Sequence, residues 1–535
     1  MATAECIKAV PPEVLAAQSP QDARVPRFDP QLGVELDPRR PRAVDGRPAE
    51  LPTHRLVTVG DSLTHGFQSG AIHNTHLAYP ALIARELGVY DRFQHPSYDR
   101  FGGLPLNIEY FLRELESRFG DRISGLELAF AAMKVHDLMD EIEDWWERDA
   151  QEPGRFGTRN HNLGIYGWDF YDANVRTATM CRQDIAAPTD ALLKQVVQNA
   201  NERAALRVLA SGPEGQQELS PIATAAALGA DGTVQTPGEG DGIETLVVML
   251  GANNVLGAVT QLRVCWSASS SYDAPEARST WTVWDPAHFR EELAAAVTAV
   301  RAIRARHVVW CTVPHVTIAP LARGIGDKVS NDARYFPFYA RPWVTDESFD
   351  PRVHPHITAA EARAIDAAID LYNAAIEDAV HTARVAGHDW LLLDLCGQLD
   401  RLASRRYIND ESSRPSWWTA YPLPRALREL RPVPDSRFFA SDENGRTAGG
   451  LFSLDGVHPT TIMYGLMAQE IINVMQLAGV AFPGREGPVQ IDFATLAARD
   501  SLVAHPPRSL SSALELIASL DDRYGVFKRL NAKGP

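Results

Sequence analysis

Ser62 stands where a serine nucleophile would be useful. It lies in LVTVGDSLTHG, where an apolar run rich in β-branched residues stops at Gly60 and is followed by Asp61 and Ser62. Ligands of an open parallel sheet bind outside the carboxyl ends of its strands, so a hydroxyl here would face the expected crevice. The alternative is a turn in which Ser62 only caps the next helix. A serine nucleophile also needs a base.

Asp455 and His458 could supply that base and its orienting partner. They are three residues apart in GGLFSLDGVHPTT, a glycine- and proline-containing segment just before a helical pattern. One loop can therefore deliver both side chains, with His458 accepting the Ser62 proton and Asp455 holding the other ring nitrogen. The alternative is a surface Asp and His at a helix start, with Thr460 as the N-cap.

Two further segments end strand-like runs with groups that can donate hydrogen bonds to an oxyanion. In VVMLGANNVLG, Asn253 and Asn254 follow a buried strand pattern, and an asparagine amide there can stabilise a developing negative charge. In HNLGIYGWDFYDA, Gly164 and Gly167 follow a short apolar run, and glycine lets the backbone present its N–H to a ligand. Both segments are also ordinary turn chemistry.

Strand and helix patterns alternate along the chain and would position these groups. The predicted strands are Arg55–Val59, Asn162–Ile165, Thr245–Leu250, His307–Val313 and Trp390–Leu395. The predicted helices are His76–Leu87, Arg290–Arg304, Ala359–Ala383 and Thr461–Leu477. This alternation predicts an α/β fold with a mostly parallel sheet of about five strands, covered by helices on both faces.

The sequence predicts three regions. Residues 1–50 form an arm rich in Pro and Arg, residues 51–482 the α/β domain, and residues 483–535 an extension with an amphipathic helix near Ser511–Leu530. Large, partly helical insertions interrupt the domain near residues 89–159, 199–242, 315–355 and 404–449. Five aromatic residues of the third insertion could line an acyl pocket or pack the insertion onto the core: Tyr335, Phe336, Phe338, Tyr339 and Trp343.

The ordered set of four segments resembles the GDSL, or SGNH, hydrolase family of esterases and lipases. The segments match the four family blocks in order, with Ser62 at the nucleophile, Gly167 at the oxyanion glycine, Asn253 at the oxyanion asparagine, and Asp455 and His458 in the last block. The resemblance implies a flavodoxin-like, three-layer α/β/α sandwich, hydrolysis of acyl esters, and neither cofactor nor metal. Two departures are Asn254, where the family usually has Asp, and a long gap before Gly167, which leaves Gly103 in DRFGGLPLN as a rival.

The hypothesis is a serine esterase with an acyl-enzyme on Ser62, His458 as general base and acid, and Asp455 orienting it. The N–H groups of Ser62 and Gly167, with the amide of Asn253, would form the oxyanion hole. A binding or scaffold protein on the same fold and an acyltransferase with the same triad are the alternatives. Lipid, acylated-sugar and small-molecule esters all remain open as substrates, as does the oligomeric state.

Composition and charge limit which binding partners and which cellular location are expected. A formal net charge of −16 argues against nucleic acid, because phosphates would be repelled. No apolar run is long enough to predict a membrane span, and no secretory signal is visible, so a cytoplasmic location is expected. Five widely spaced cysteines argue against a disulfide framework and against a CxxC zinc site.

Overall fold

The computed structural model describes residues 6–18, 50–98, 100–149, 158–185, 197–268, 278–330, 333–485 and 487–524. Most of the predicted N-terminal arm and the last residues of the predicted C-terminal helix lie outside these ranges. Within the described ranges, no helix combines the length and apolar character that crossing a membrane requires.

Five parallel strands form the central sheet. They are β1 (His54–Gly60), β2 (Asn162–Gly164), β3 (Ile243–Met249), β4 (Ala305–Cys311) and β5 (Trp390–Leu393). Their order is β5-β4-β3-β1-β2, and all four pairings are parallel. The chain thus runs outward in opposite directions from β1 and β3, which makes their junction the switch point where ligands of such sheets bind. The predicted parallel sheet of about five strands is confirmed.

Six helices cover the two faces of the sheet: α1 (Tyr79–Glu86), α2 (Pro221–Gly229), α3 (Pro286–Arg301), α4 (Ala359–Val385), α5 (Leu395–Leu402) and α6 (Thr461–Leu477). Successive strand residues point to opposite faces. In β1, Val57 and Val59 join one core together with α2, α3 and α4, whereas Leu56 joins the other with α1, α5 and α6. The arrangement is that of three layers, as expected from strands that read as continuous apolar runs.

The insertions and the C-terminal extension build a third core beside the sheet. The first insertion is largely helical, as predicted, with helices Ile108–Phe119 and Leu128–Asp144. The extension contains helices Phe493–Arg499, Ser501–Ala504 and Leu510–Tyr524. Leu502 and Leu510 of the extension belong to the same core as Leu112 of the first insertion. The first insertion and the C-terminal extension are therefore packed together.

The described ranges contain one disulfide, between segments that are distant in sequence. A disulfide joins Cys6 to Cys265, and the neighbouring Ile7 forms a β-bridge with Trp266. Wide spacing argues against a dense framework but says nothing about one bridge between segments that meet only in the folded chain. Disulfides are typical of oxidising compartments, so this bridge does not favour the expected cytoplasmic location. Cys181, Cys311 and Cys396 are buried and do not take part in a disulfide.

Candidate active site

Ser62 lies directly beyond the carboxyl end of β1, beside the end of β3. It is the first residue of the short helix Ser62–His65, which the carboxylate of Asp61 caps by accepting from the N–H of Leu63 at 3.0 Å. This turn requires Gly60, since a Cβ there would lie 1.9 Å from Thr64 Oγ1. The backbone N–H of Ser62 has no acceptor within the described ranges, as is usual at the start of a helix.

Asp455 and His458 form a buried pair in the loop before α6. Asp455 Oδ2 accepts from His458 Nδ1 at 3.0 Å and from the N–H of Gly70 at 2.9 Å. Asp455 Oδ1 accepts from the N–H groups of Val457 and His458. Burial opposes ionisation, yet His458 and these donors hold the pKa of Asp455 below its usual value. A charged carboxylate thus orients the imidazole.

The second ring nitrogen of His458 is left without a partner. Its Nε2 is buried and makes no hydrogen bond within the described residues, Ser62 Oγ included. Ser62 and His458 nevertheless line the same cavity, of about 70 Å³. The ring of Phe67 packs 4.4 Å from the imidazole, centroid to centroid, and supports it from one side. Because Nδ1 donates to Asp455, Nε2 carries the lone pair that a general base needs.

Asn253 bonds to the residue that follows Gly167. Gly167 has φ +77°, and its N–H has no acceptor within the described ranges. Asn253 Nδ2 donates to the carbonyl of the next residue, Trp168, at 2.8 Å. One hydrogen of that amide is therefore left over, since an asparagine amide carries two. Neither Gly167 nor Asn253 lines the small cavity. Ala252, the residue before Asn253, does line it.

The rival glycine, Gly103, is placed elsewhere. Its N–H donates to the carbonyl of Arg100 at 2.9 Å, so it is not available to an oxyanion. A Cβ at this position would lie 2.0 Å from the carbonyl oxygen of Ile72, within a small antiparallel sheet. The geometry therefore favours Gly167 over Gly103 as the donor.

Asn254, which departs from the family pattern, has a structural partner. Its Nδ2 donates to Glu292 on α3 at 2.9 Å. Glu292 also accepts from Arg278 at 2.7 Å, and Arg278 lies 3.2 Å from Asp169. An aspartate at position 254 would add a third carboxylate to this buried group and would repel Glu292. The amide thus ties the loop after β3 to α3.

The walls of the small cavity are almost wholly apolar. Besides Ser62 and His458, the described lining includes Leu63, Leu256, Val316, Leu395, Leu399, Phe452, Val457, Met463 and Met467. The five aromatic residues expected as an acyl pocket do not line it. Phe336 and Tyr339 line a different cavity, whereas Phe338 and Trp343 pack against Ile325 and Val344. Of the two alternatives, the structure therefore favours packing: Tyr335, Phe336 and Tyr339 join the core that contains α3 and α4. Phe338 and Trp343 pack within their own insertion.

Three buried residues that support the Gly167 turn are not among the predicted site residues: His65, Tyr98 and Asn201. His65 Nδ1 accepts from the N–H of Tyr166 at 3.1 Å, and its Nε2 lies 2.7 Å from the hydroxyl of Tyr98. Asn201 accepts from Trp168 Nε1 at 2.7 Å and donates to the carbonyl of Tyr166. These contacts brace the Gly167 turn from two sides. Only the position of His65, three residues after Ser62, offered a sequence signal.

The sequence pattern around Asp61 indicates only a turn residue. Its carboxyl is fully buried, and burial raises its pKa to about 7, partly offset by the N–H of Leu63 and by His458. A carboxyl that titrates near neutral pH thus lies within electrostatic reach of the imidazole.

His315, Cys396 and Asp400 form the one cluster of possible metal-ligating side chains found in the described ranges. His315 Nδ1 lies 3.0 Å from Asp400 and its Nε2 lies 3.2 Å from Asp370, so carboxylates engage both ring nitrogens. Burial opposes protonation, but Cys396 and the carboxylates raise the pKa of His315 well above its usual value. An imidazolium held by two carboxylates accounts for the geometry without a metal.

No protein-family model matches the chain, and a search of curated proteins finds no significant match. The chemistry of this site therefore has to be argued from its geometry.

Proposed function

We propose that this protein is a serine hydrolase of the GDSL, or SGNH, type that cleaves carboxylic esters through an acyl-enzyme on Ser62. The observation that carries the proposal is the buried pair of Asp455 and His458, whose unpartnered Nε2 belongs to the cavity that Ser62 also lines. A buried ring nitrogen without a hydrogen bond is costly, and a reacting hydroxyl would supply the missing partner.

The reaction begins when His458 Nε2 removes the Ser62 proton as the oxygen attacks the ester carbonyl. Asp455 stabilises the imidazolium that forms. The proton then passes from His458 to the leaving alcohol, and the acyl group stays on Ser62. Water, activated by the same imidazole, attacks the acyl-enzyme and releases the carboxylic acid.

The developing oxyanion would lie between three donors. These are the N–H of Ser62 at the start of its helix, the N–H of Gly167, and the second amide hydrogen of Asn253. The first two have no acceptor within the described ranges, and the third group has a hydrogen to spare. Donors held in place before the reaction stabilise the transition state without reorganisation.

The small cavity favours a short acyl group. About 70 Å³ of apolar space beside Ser62 is well below the roughly 300–1,000 Å³ that is typical of small-molecule sites. We therefore expect kcat/KM to fall as the acyl chain of a nitrophenyl ester is lengthened from acetyl to octanoyl.

Ser62→Ala tests the nucleophile. With nitrophenyl acetate and butyrate, the variant should lose at least about 1,000-fold in kcat, because the covalent step is removed. A serine-directed organophosphonate should add one adduct to the wild type, at Ser62, and none to the variant. The matched control is Ser348→Ala, which removes an exposed serine hydroxyl outside the cavity and should keep its adduct. Equal turnover by wild type and Ser62→Ala, or no adduct, would favour a binding protein on this fold.

A further inference from the structure

A larger cavity, of about 320 Å³, lies against the segment that walls the candidate active site. His315, Val316 and Ala319 line the small cavity, whereas Thr317, Ile318, Pro320 and Ala322 line the larger one. One stretch of chain therefore borders both. The volume is within the range of small-molecule sites.

The larger cavity is lined by arginine and by no carboxylate. Among the described residues that line it are Arg323, Arg334, Arg405, Arg406 and Arg437. No Asp or Glu is among them. In a chain with a formal net charge of −16, such a local excess of positive charge is opposite to the average. Positive charge concentrated in a concave site attracts anions.

Three of these arginines are neutralised by carboxylates outside the lining. Arg323 pairs with Asp346 at 2.7 Å and Arg437 with Asp435 at 2.7 Å. Arg406 pairs with Asp366 at 3.0 Å. These three arginines therefore contribute less positive charge to the cavity.

Arg334 has no such partner. Its side chain is 94% buried, with a relative exposure of 6%. Nε donates to the hydroxyl of Tyr335 at 3.0 Å and Nη1 to that of Tyr407 at 3.5 Å. No carboxylate lies within 4.0 Å of it in the described ranges, and Nη2 has no hydrogen bond there. Burial opposes its charge, but the Tyr335 and Tyr407 hydroxyls and the carboxylates of Asp366 and Asp370 hold the pKa of Arg334 well above its usual value, so the guanidinium stays charged. In the described ranges it donates only to neutral oxygens, and an anion in the cavity would add a charge-assisted acceptor.

Arg405 is the second unpaired cation. Its Nη1 donates to the carbonyl of Gly324 at 2.6 Å, and its guanidinium lies 4.6 Å from the centroid of the Phe336 ring. Within the described ranges it makes no ion pair. Burial, and the proximity of Arg323, lower the pKa of Arg405. An anion in the cavity would offset both the burial of the Arg405 charge and its repulsion by Arg323.

We propose that this cavity binds a small molecule bearing a carboxylate or phosphate group, held by Arg334 and Arg405. Planar guanidinium groups suit both anions because they donate two parallel hydrogen bonds. Phe336 and Tyr339 give the ligand an apolar wall. The anion belongs either to the ester substrate or to a separate ligand. Binding itself does not depend on the proposed hydrolase activity.

Calorimetry with inorganic phosphate and with succinate tests the site on the full chain. Wild type should bind at least one of the two, and Arg405→Met should weaken that binding at least tenfold, as expected when a charge-assisted hydrogen bond is lost. Arg334→Met should do the same. Arg405 is only partly buried, so its variant decides the matter if Arg334→Met fails to fold. Arg425→Met, which removes a largely exposed arginine outside the cavity, is the control and should bind like wild type.

No binding of either anion to wild type, or equal binding by wild type and both cavity variants, would overturn the proposal. Kinetics then separate the two sources of the anion. If the anion is part of the substrate, Arg405→Met raises KM for a carboxylate-bearing nitrophenyl ester but not for nitrophenyl butyrate. If it is a separate ligand, the variant affects both esters alike or neither, while the loss of phosphate or succinate binding persists. Failure of Ser62→Ala to lose activity would leave the binding result intact.

Discussion

At the scale of single residues, Asp455 is the most constrained group of the candidate site. Its carboxylate accepts four hydrogen bonds, three from backbone N–H groups and one from His458. Every one of these partners is a donor. The carboxylate therefore fixes both the orientation and the tautomer of the imidazole, which leaves Nε2 as the nitrogen able to accept a proton.

Asp455→Asn replaces one acceptor oxygen by an amide that can only donate. That amide would face either the N–H groups of Val457 and His458, or the N–H of Gly70 together with His458 Nδ1. We expect kcat for nitrophenyl butyrate to fall about 1,000- to 10,000-fold, because the imidazole loses its orientation and charge stabilisation. Steady-state kinetics measure this. A fall of less than about tenfold in a folded variant would contradict the assigned role of Asp455.

At the scale of elements, four separate pieces of chain are braced against one another at the sheet edge. The loop after β2 carries Gly167 and is held by His65 from the helix after β1. The loop after β3 carries Asn253 and bonds to the same turn. Ser69 donates its N–H to Ser453 Oγ at 2.8 Å and thus joins the segment beyond Ser62 to the loop of Asp455. Positioning is therefore shared between loops that are distant in sequence.

His65 is a positioning residue in this scheme. Burial lowers its pKa to about 3, so the ring is neutral, and Nδ1 can accept from the N–H of Tyr166 at all ordinary pH values. His65→Leu should lower kcat about 10- to 100-fold with little change in KM, because the Gly167 donor is displaced from the transition state. His65→Asn offers an acceptor oxygen near the same place and should restore much of kcat. Equal kcat in His65→Leu and wild type would exclude this role.

At the scale of the whole molecule, the C-terminal extension contacts the start of α6, the helix that follows the loop of Asp455 and His458. Thr460 does not cap α6 with its side chain; its hydroxyl donates instead to the carbonyl of Gly450 at 2.7 Å. Asp500 of the extension accepts from the N–H of Ile462 at 2.9 Å in its place. A residue of the C-terminal extension thus anchors the helix that follows the loop of Asp455 and His458.

Asp500 also predicts how stability depends on pH. Burial raises its pKa to about 7, with a further contribution from Glu109. Between about pH 4 and pH 7 the folded protein therefore retains a proton that the unfolded chain has lost, so raising the pH destabilises the fold. The free energy of unfolding of wild type should fall relative to that of Asp500→Asn by up to about 1.4 kcal/mol per pH unit. Urea unfolding at pH 5, 6 and 7 measures the difference, and a constant difference would contradict the assignment.

The sequence alone determined the strands and the placement of polar residues at their ends. The predicted strands differ from the observed ones by at most two residues at either end, as for Thr245–Leu250 against Ile243–Met249. This succeeds because a strand buried on both faces must be apolar throughout and must end at residues that can turn. The alternation with helices then dictated parallel strands, and parallel strands bring their carboxyl ends to one edge.

Only the tertiary structure decided which of the candidate residues contact one another. It distinguished Gly167 from Gly103 through the hydrogen bond that the latter already makes, and it paired Asn254 with Glu292. It also placed Phe336 and Tyr339 at the arginine-lined cavity and joined Cys6 to Cys265. Apart from the local hydrogen bond of Gly103 to Arg100, these outcomes depend on contacts between segments far apart in the chain. Local patterns of hydrophobicity and turn residues carry no information about such contacts, because those patterns follow from each segment's own backbone and burial.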